Sequence, residues 1–148
     1  MRSVLDPEDR RELMSRFRRL RPDTMPRWGR MSAPQMVSHL SDQMRHTVGD
    51  ATAAPRPGPL RWPIVKQAVL YLMPWPKGRV RGPREAFLTE PGPWEADLTT
   101  LEGLVERFAA AADRVDWPDH AIFGSMSRRA WGWFCHRHFD HHLRQFGQ

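Results

Sequence analysis

The chain has 148 residues, of which 40% are hydrophobic and 27% are charged, and this composition excludes a wholly disordered protein. A single cysteine excludes an internal disulfide framework and the cysteine-rich zinc modules. The first residues are charged and lack the apolar core of a signal peptide, and no apolar stretch is long enough to span a bilayer. We therefore expect a single cytoplasmic domain over residues 1–148.

The net charge of +6 raises the question of a nucleic-acid partner. Arginine outnumbers lysine 21 to 2, a bias that a GC-rich genome produces without selection for phosphate binding. The basic residues are spread along the chain, and the densest group lies among acidic residues on the first predicted helix. The sequence contains no helix-turn-helix, zinc-finger or RNA-binding signature. The charge therefore favours a solvated helix face, with a phosphate-binding surface as the alternative.

Two helix starts are marked in the first third of the chain. Asp6 is a good N-cap for a first helix, which Pro22 ends. Ser32 followed by Gln35 three residues later forms a capping box, which predicts a second helix to about Thr47. Apolar residues recur at helical spacing in both segments, so each helix is expected to bury one face.

The middle of the chain, residues 49–93, is rich in proline, glycine and arginine. An apolar stretch within it predicts a third helix over 60–72, which Pro74 ends. Residues 77–93 are polar and predict an extended excursion over the surface.

Two further helices follow this middle stretch. Apolar residues at helical spacing predict a helix over 95–115. Either Ser125 or Ser127 caps a last helix that runs to about Phe146. Because four substantial helices and one shorter helix are predicted, with no convincing strand pattern, the sequence indicates an all-α bundle.

Four of the seven histidines lie between residues 136 and 142. His138 and His142 are one helical turn apart, about 6 Å along the helix and about 40° apart around it. This spacing lets two imidazoles bind one metal ion. Spacing alone also fits histidines on a helix surface and buried histidines with hydrogen-bond partners, so these alternatives stay open.

The last helix has two sides of different character. His136 and Asp140 fall on the side opposite the histidine pair and are expected to be solvated. The pair shares the buried side with Trp131, Phe134, Cys135 and Gln145. Because burying two histidines without partners is costly, this side requires a metal ion or a hydrogen-bond network.

A metal site needs a third protein ligand. His39, at the border of the apolar stripe of the second helix, is the best candidate, with Asp42 and Gln43 near enough to support it. His46, two turns further along, and Cys135, one turn before the pair, are alternative ligands. The sequence has no carboxylate pair with glycosidase spacing, no nucleophile elbow and no glycine-rich phosphate loop, so no catalytic residue is assigned.

Two segments of the sequence resemble a known family. Residues 26–36, PRWGRMSAPQM, followed by His39, and residues 138–147, HFDHHLRQFG, resemble the DinB-like (YfiT-like) superfamily, and within it a bacterial branch with no assigned function. The resemblance extends from about Pro22 to the last residue. It implies an up-down four-helix bundle, here with an additional short helix and a long Pro/Gly-rich loop.

The resemblance also implies a metal site and a chemistry. Members hold a divalent metal, typically zinc or nickel, with one histidine on the second helix and a pair on the last, which here are His39, His138 and His142. Characterised relatives include thiol S-transferases that use low-molecular-weight thiols such as bacillithiol, and a mycothiol-dependent isomerase. We therefore expect a metal-dependent enzyme. The favoured reaction is thiol S-transfer, in which the metal activates a thiolate and a small-molecule thiol and an electrophile are the partners, and the less favoured alternative is hydrolysis by a metal-bound water. The Pro/Arg-rich stretch 49–93 departs from these relatives.

In this enzymatic hypothesis Trp131, Phe134 and Gln145 line the pocket. The second hypothesis is a non-catalytic, metal-stabilised bundle that acts as a stress-response or protein-interaction module, because no general acid or base stands beside the triad except His46 or His120. Tryptophan and leucine residues near the third helix exceed what one small bundle buries, which favours a homodimer. Neither a nucleic acid nor a membrane is expected as a partner.

Overall fold

A computed structural model describes residues 1–75 and 87–148 of the chain. These residues contain five helices and no strand, apart from an isolated bridge between His120 and Gly124. The predicted all-α class is confirmed. None of the described helices is long and apolar enough to cross a membrane. The helices are α1 (Pro7–Arg18), α2 (Ala33–Val48), α3 (Pro63–Gln67), α4 (Trp94–Ala110) and α5 (Arg128–Gln145).

The starts of α1 and α2 agree with the sequence signals. The Asp6 carboxylate accepts hydrogen bonds from the backbone N–H groups of Glu8 and Asp9. At α2 the Ser32 hydroxyl accepts from the Gln35 N–H, and the Gln35 side chain accepts from the Ser32 N–H. Both patterns supply partners to N–H groups that the first helical turn leaves unpaired.

The third predicted helix is divided into three short pieces. A 3₁₀ turn over Pro59–Arg61 precedes α3, and a π-helical turn over Ala68–Leu72 follows it. The guanidinium of Arg137 donates to the carbonyl oxygens of Val69 and Leu70, which satisfies acceptors that the wide turn leaves exposed. Of the excursion predicted over 77–93, the part up to residue 86 lies outside the described residues.

The fourth predicted helix is too long at its C-terminal end. The α4 helix ends at Ala110 rather than near residue 115, because Ala111 leaves the helical region with a ψ of 58°. The chain then turns back so that Trp117 packs edge-on against Phe108, with ring centroids 5.0 Å apart. Of the two candidate caps for α5, the structure uses Ser127, whose hydroxyl accepts from the Ala130 N–H.

The long helices pack so that α2 contacts α4 and α5, while α1 contacts α5 and α4. Phe17 of α1 and Phe139 of α5 meet edge-to-face at 5.7 Å in the centre of the core. Leu40 and Met44 of α2 are fully buried. Because α2 lies against α5, the histidines that these two helices carry are brought to the same part of the molecule.

The expectation that His136 is solvated is wrong. His136 is only 6% exposed, because α1 and the N-terminal residues cover the outer side of α5. Asp140 on the same side is half-buried and accepts a hydrogen bond from the buried guanidinium of Arg16 at 2.8 Å. Helical periodicity identifies the two sides of α5, but it does not show that α1 covers one of them.

Two glycines within helices provide a test of this packing. A Cβ atom at Gly132 of α5 would lie 2.6 Å from Ser3 Oγ and 2.8 Å from Leu5 Cγ, whereas a Cβ at Gly103 of α4 would meet nothing within 4 Å. The Val4 N–H donates to the Gly132 carbonyl, so the N-terminal segment is held in place there. We expect Gly132→Ala to lower the free energy of unfolding by about 1–3 kcal/mol.

Gly103→Ala is the matched control and should raise the free energy of unfolding by about 0.5–1 kcal/mol, since alanine has the higher helix propensity. Urea denaturation of both variants measures the two values. Equal effects of the two substitutions would show that the N-terminal segment does not pack on α5.

Candidate metal centre

The imidazole rings of His39, His138 and His142 meet at one point between α2 and α5. The Nε2 atom of His138 lies 3.2 Å from Nε2 of His39 and 3.1 Å from Nε2 of His142. One nitrogen from each of the three rings lies within 4.8 Å of the others. His39 and His142 are buried, and His138 is mostly covered. The structure thus brings together the three histidines that the sequence singles out.

The protonation of His142 follows from its neighbours. The side-chain amide of Gln145 donates to the backbone carbonyl of Trp28 at 2.8 Å, and a carbonyl can only accept. The amide orientation is therefore defined, and Oε1 of Gln145 faces Nδ1 of His142 at 2.8 Å. His142 must carry its proton on Nδ1, so the Nε2 that faces the other two rings presents a lone pair.

Gly29 permits this hydrogen-bonded chain. Its φ is +80°, and a Cβ atom at this position would lie 2.8 Å from Nε2 of Gln145. Any other residue would therefore be strained in its backbone and would displace the Gln145 amide. The connection between α1 and α2 thus supports the face of α5 that carries His138 and His142.

The electrostatics of the cluster keep its histidines neutral. Burial, together with the nearby His39, lowers the pKa of His142 from its usual value of 6.5 to about 3. Burial, together with the neighbouring histidines, also lowers the pKa of His138 well below its usual value. Neutral imidazole is the form that binds metal ions, so no proton has to be removed from these rings at neutral pH.

A metal ion would satisfy the nitrogen atoms of the three rings better than hydrogen bonds between the rings do. His138 Nε2 has two close nitrogen neighbours, but a single ring nitrogen can donate at most one proton and so satisfies only one of them. His138 Nδ1 is buried and forms no hydrogen bond within the described part of the chain. Two nitrogens bound to one zinc ion lie about 3.3 Å apart in a tetrahedral site, close to the observed separations.

Aromatic rings surround the cluster. Phe87 stacks on His39 with ring centroids 4.5 Å apart and planes 11° from parallel. Trp75 and Phe134 pack against His138, with centroids 5.7 Å and 5.5 Å away. Phe134 was predicted to line the site, whereas Trp75 and Phe87 were not. Their only sequence signal is that each is a bulky aromatic residue at the border of a Pro/Gly/Arg-rich stretch.

Asp42 supports the site by holding the backbone of Leu88 and Thr89. Its carboxylate accepts from the backbone N–H groups of Leu88 and Thr89, both at 2.9 Å, and also from Arg45. Burial acts to raise the pKa of Asp42, but the hydrogen bonds from Thr89, Leu88 and Arg45 outweigh it and lower the pKa. Asp42 thus anchors the backbone next to Phe87, which covers His39, and supports the site in this way.

The other proposed support and ligand residues lie outside the cluster. The Gln43 amide donates to Thr47 Oγ1 at 2.6 Å and contacts the Cys135 sulfur at 3.7 Å. Burial raises the pKa of the Cys135 thiol to about 12, so it is neither a thiolate ligand nor a nucleophile at neutral pH. Neither Cys135 nor His46 belongs to the group of residues that can hold a metal ion. Trp131 is buried behind Phe134, with ring centroids 5.7 Å apart.

A cavity of about 310 Å³ opens beside His39. Its wall includes charged residues, Arg30 and Glu90, together with the exposed edge of Phe87. Of the three clustered histidines, only His39 reaches this cavity. The cavity is large enough for a small molecule and provides an approach to the cluster from solvent.

The described residues therefore define a class: a helical protein with three clustered histidines that can hold a metal ion. The chain belongs to the family described as "Protein of unknown function (DUF1569)", which matches it over residues 1–148. No curated protein and no solved structure matches the chain.

Gln145 is a positioning residue, and its removal should weaken metal binding. Without its carbonyl oxygen, His142 can place its proton on either nitrogen and its ring is less well oriented. We expect Gln145→Ala to lower the affinity for Zn²⁺ by about 10- to 100-fold. Competition with a chromophoric chelator measures this change.

Gln67→Ala serves as the control, because Gln67 is an exposed glutamine outside the cluster. It should bind Zn²⁺ as the wild type does. If Gln145→Ala matched that affinity, the proposed orientation of His142 would be wrong.

His120, a candidate acid or base in the sequence, has a structural role. Its Nδ1 accepts from the backbone N–H groups of Ile122 and Phe123 at 3.1 and 3.2 Å. Burial lowers its pKa from 6.5 to about 4. Because the unfolded chain binds this proton more readily, the folded state should lose stability as the pH falls from 6.5 towards 4.

His120→Asn tests this pH dependence, since an asparagine oxygen can accept the same two hydrogen bonds but does not titrate. Urea denaturation of the metal-free proteins measures the free energy of unfolding from neutral pH to about pH 5. This free energy should fall less steeply with falling pH in the variant than in the wild type, and the two slopes should differ by at most about 1.4 kcal/mol per pH unit. Parallel stability profiles for the two proteins would contradict the assignment.

Proposed function

We propose that this protein is a divalent-metal-dependent enzyme of the DinB-like superfamily that transfers a low-molecular-weight thiol to an electrophile. One observation carries the proposal: the Nε2 atoms of His39 and His142, from two helices, both lie within hydrogen-bond distance of Nε2 of His138. The low pKa values of His138 and His142 and the Gln145 hydrogen bond support it, because each favours the ligand form of an imidazole. The resemblance of residues 26–36 and 138–147 to that superfamily supports it independently.

The proposed architecture is an up-down four-helix bundle formed by α1, α2, α4 and α5. Their pairwise contacts support this arrangement, since each of the four packs against two others or more. In this proposal α3 is the additional short helix, and the Pro/Gly-rich stretch 49–93 is an insertion between the second and third bundle helices.

The proposed ligands are His39, His138 and His142, and the proposed metal is zinc or nickel. Three neutral imidazoles suit both ions, and selection between them depends on coordination geometry and supply. A divalent ion at this position supplies Lewis acidity, which lowers the pKa of a bound thiol or water.

The residues around the cluster have separate tasks in this proposal. Gln145 Oε1 holds a proton at His142 Nδ1, so this nitrogen is not available as a base. Phe87 and Trp75 exclude water from the rings of His39 and His138. Arg30 and Glu90 carry opposite charges on the wall of the cavity and orient the charged groups of a small molecule beside His39.

Elemental analysis of protein purified without a histidine tag tests the metal site. Wild-type protein should contain nearly stoichiometric metal, and His39→Ala and His142→Ala should each lose most of it, because two ligands hold a divalent ion weakly. His136→Ala is the matched control, since His136 is also a buried histidine of α5 but lies on its opposite side. Wild-type protein without metal, and without a thermal shift on adding Zn²⁺ or Ni²⁺, would overturn the proposal.

The transfer activity is tested separately with monochlorobimane as the electrophile and a low-molecular-weight thiol. In this reaction a carbon–sulfur bond forms, chloride leaves and the thiol proton passes to solvent. The metal-loaded wild type should accelerate product fluorescence above the rate with His142→Ala. Stoichiometric metal without acceleration for any thiol tested would favour the non-catalytic, metal-stabilised bundle.

A further inference from the structure

The positive charge of this protein is concentrated in one segment. Residues 51–84 contain seven basic residues and no acidic residue, whereas the rest of the chain contains 16 basic and 17 acidic residues. Basic residues occur along the whole chain, whereas acidic residues are absent from this segment. The whole net charge of +6 therefore comes from a segment that includes α3.

The described part of this segment also exposes large apolar side chains. Ile64 and Leu72 are 85% and 81% exposed, and Trp62 and Met73 are 65% and 53% exposed. Leu70, on the inner side, is 4% exposed and belongs to the core. This described part therefore packs on the protein with one side and presents a second apolar side to solvent, which is unusual for so short a stretch.

Of the cations next to these apolar side chains, Arg61 pairs with Asp119 at 3.5 Å, whereas three others have no carboxylate partner within the described residues. Lys66 donates to the carbonyl oxygens of Phe123 and Ser125. Arg137 donates to carbonyl oxygens of the π-helical turn, and the exposed Arg129 lies over the Trp133 ring at 4.5 Å. Within residues 1–75 and 87–148, none of these three cations forms an ion pair.

More than half of the arginines elsewhere in the described chain have carboxylate partners. Eight of them are paired with carboxylates, at Arg2, Arg10, Arg16, Arg18, Arg21, Arg45, Arg107 and Arg144. In particular, three of the four arginines of α1 are engaged by Glu102, Glu106 and Asp140. In the sequence, the surplus charge thus lies in the segment that carries the exposed apolar side chains and not in α1.

We propose that this region, called here the α3 surface and comprising Trp62, Ile64, Lys66, Leu72, Met73 and Arg129, binds an anionic lipid surface. Cations bind the headgroups, and the apolar side chains enter the boundary between headgroups and acyl chains. A nucleic acid is the weaker match, because exposed aliphatic side chains such as Ile64 and Leu72 gain nothing from phosphates. The proposal is independent of the metal chemistry.

Co-sedimentation of the full chain with lipid vesicles tests the proposal. Vesicles of phosphatidylcholine with about 30% phosphatidylglycerol should bind the protein at low ionic strength, at least tenfold more strongly than pure phosphatidylcholine vesicles. Raising the salt to about 0.5 M should weaken binding, because the headgroup charges are then screened. Failure to bind the anionic vesicles at low salt would overturn the proposal.

Two pairs of variants locate the binding surface. The double variant Ile64→Glu/Leu72→Glu should lower vesicle binding at least tenfold, whereas Met25→Glu, at another exposed apolar residue, should leave it unchanged. Arg129→Gln should lower binding about fivefold. Arg21→Gln removes the same charge from a site paired with Asp23 and should have no effect. If both members of a pair lost vesicle binding equally, the assignment of binding to the α3 surface would be contradicted.

Two other partners give different results in the same experiments. Binding to a DNA duplex or an RNA strand, without binding to anionic vesicles, would assign the surface to nucleic acid and overturn the proposal. Sedimentation that shows a wild-type dimer and a monomeric Ile64→Glu/Leu72→Glu variant, with no vesicle binding, would assign it to a second copy of the chain. Metal content and transfer activity should be equal in all these variants, so failure of the lipid proposal is distinct from failure of the proposed function.

Discussion

The close approach of three buried imidazoles is the constraint on which the rest of the structure depends. Ring nitrogens that are removed from water need partners, and the Nε2 atoms of His39, His138 and His142 have mainly one another. Neutral rings cannot satisfy all of these contacts, whereas a cation accepts a lone pair from each. The packing of α2 against α5 has this consequence, because it places His39 of α2 next to His138 and His142 of α5.

The three histidines lie on helices, but some of the residues that contact or orient them lie in irregular segments. The connection between α1 and α2 supplies the carbonyl of Trp28 that orients Gln145, and through it His142. The segment before α4 supplies Phe87, and Asp42 of α2 holds the adjacent backbone in place. Both loops are tied back to a helix by hydrogen bonds, so their contacts with the histidines are as well defined as those between the helices.

The elements of the fold were predictable where their signals are local. Caps at Asp6 and Ser32 act within one helical turn, and both are used as predicted. The end of α4 depends on Trp117 packing against Phe108, and the division of the third predicted helix involves contacts from Arg137 of α5. These interactions join residues that are far apart in the sequence or lie beyond the helix itself. Periodicity and capping rules use only neighbouring residues, so they do not predict such contacts.

The sequence by itself determined that the chain is helical and that His138 and His142 share one helical face, because an interval of four residues has a definite meaning on an α-helix. It also indicated His39 as the third histidine, and the structure brings the three together. Only the tertiary structure decided that α1 covers His136, that Gln145 contacts His142, and that Trp75 and Phe87 surround the cluster. Periodicity describes which side chains share a face of one helix, whereas the contacts of that face depend on how distant segments pack against it.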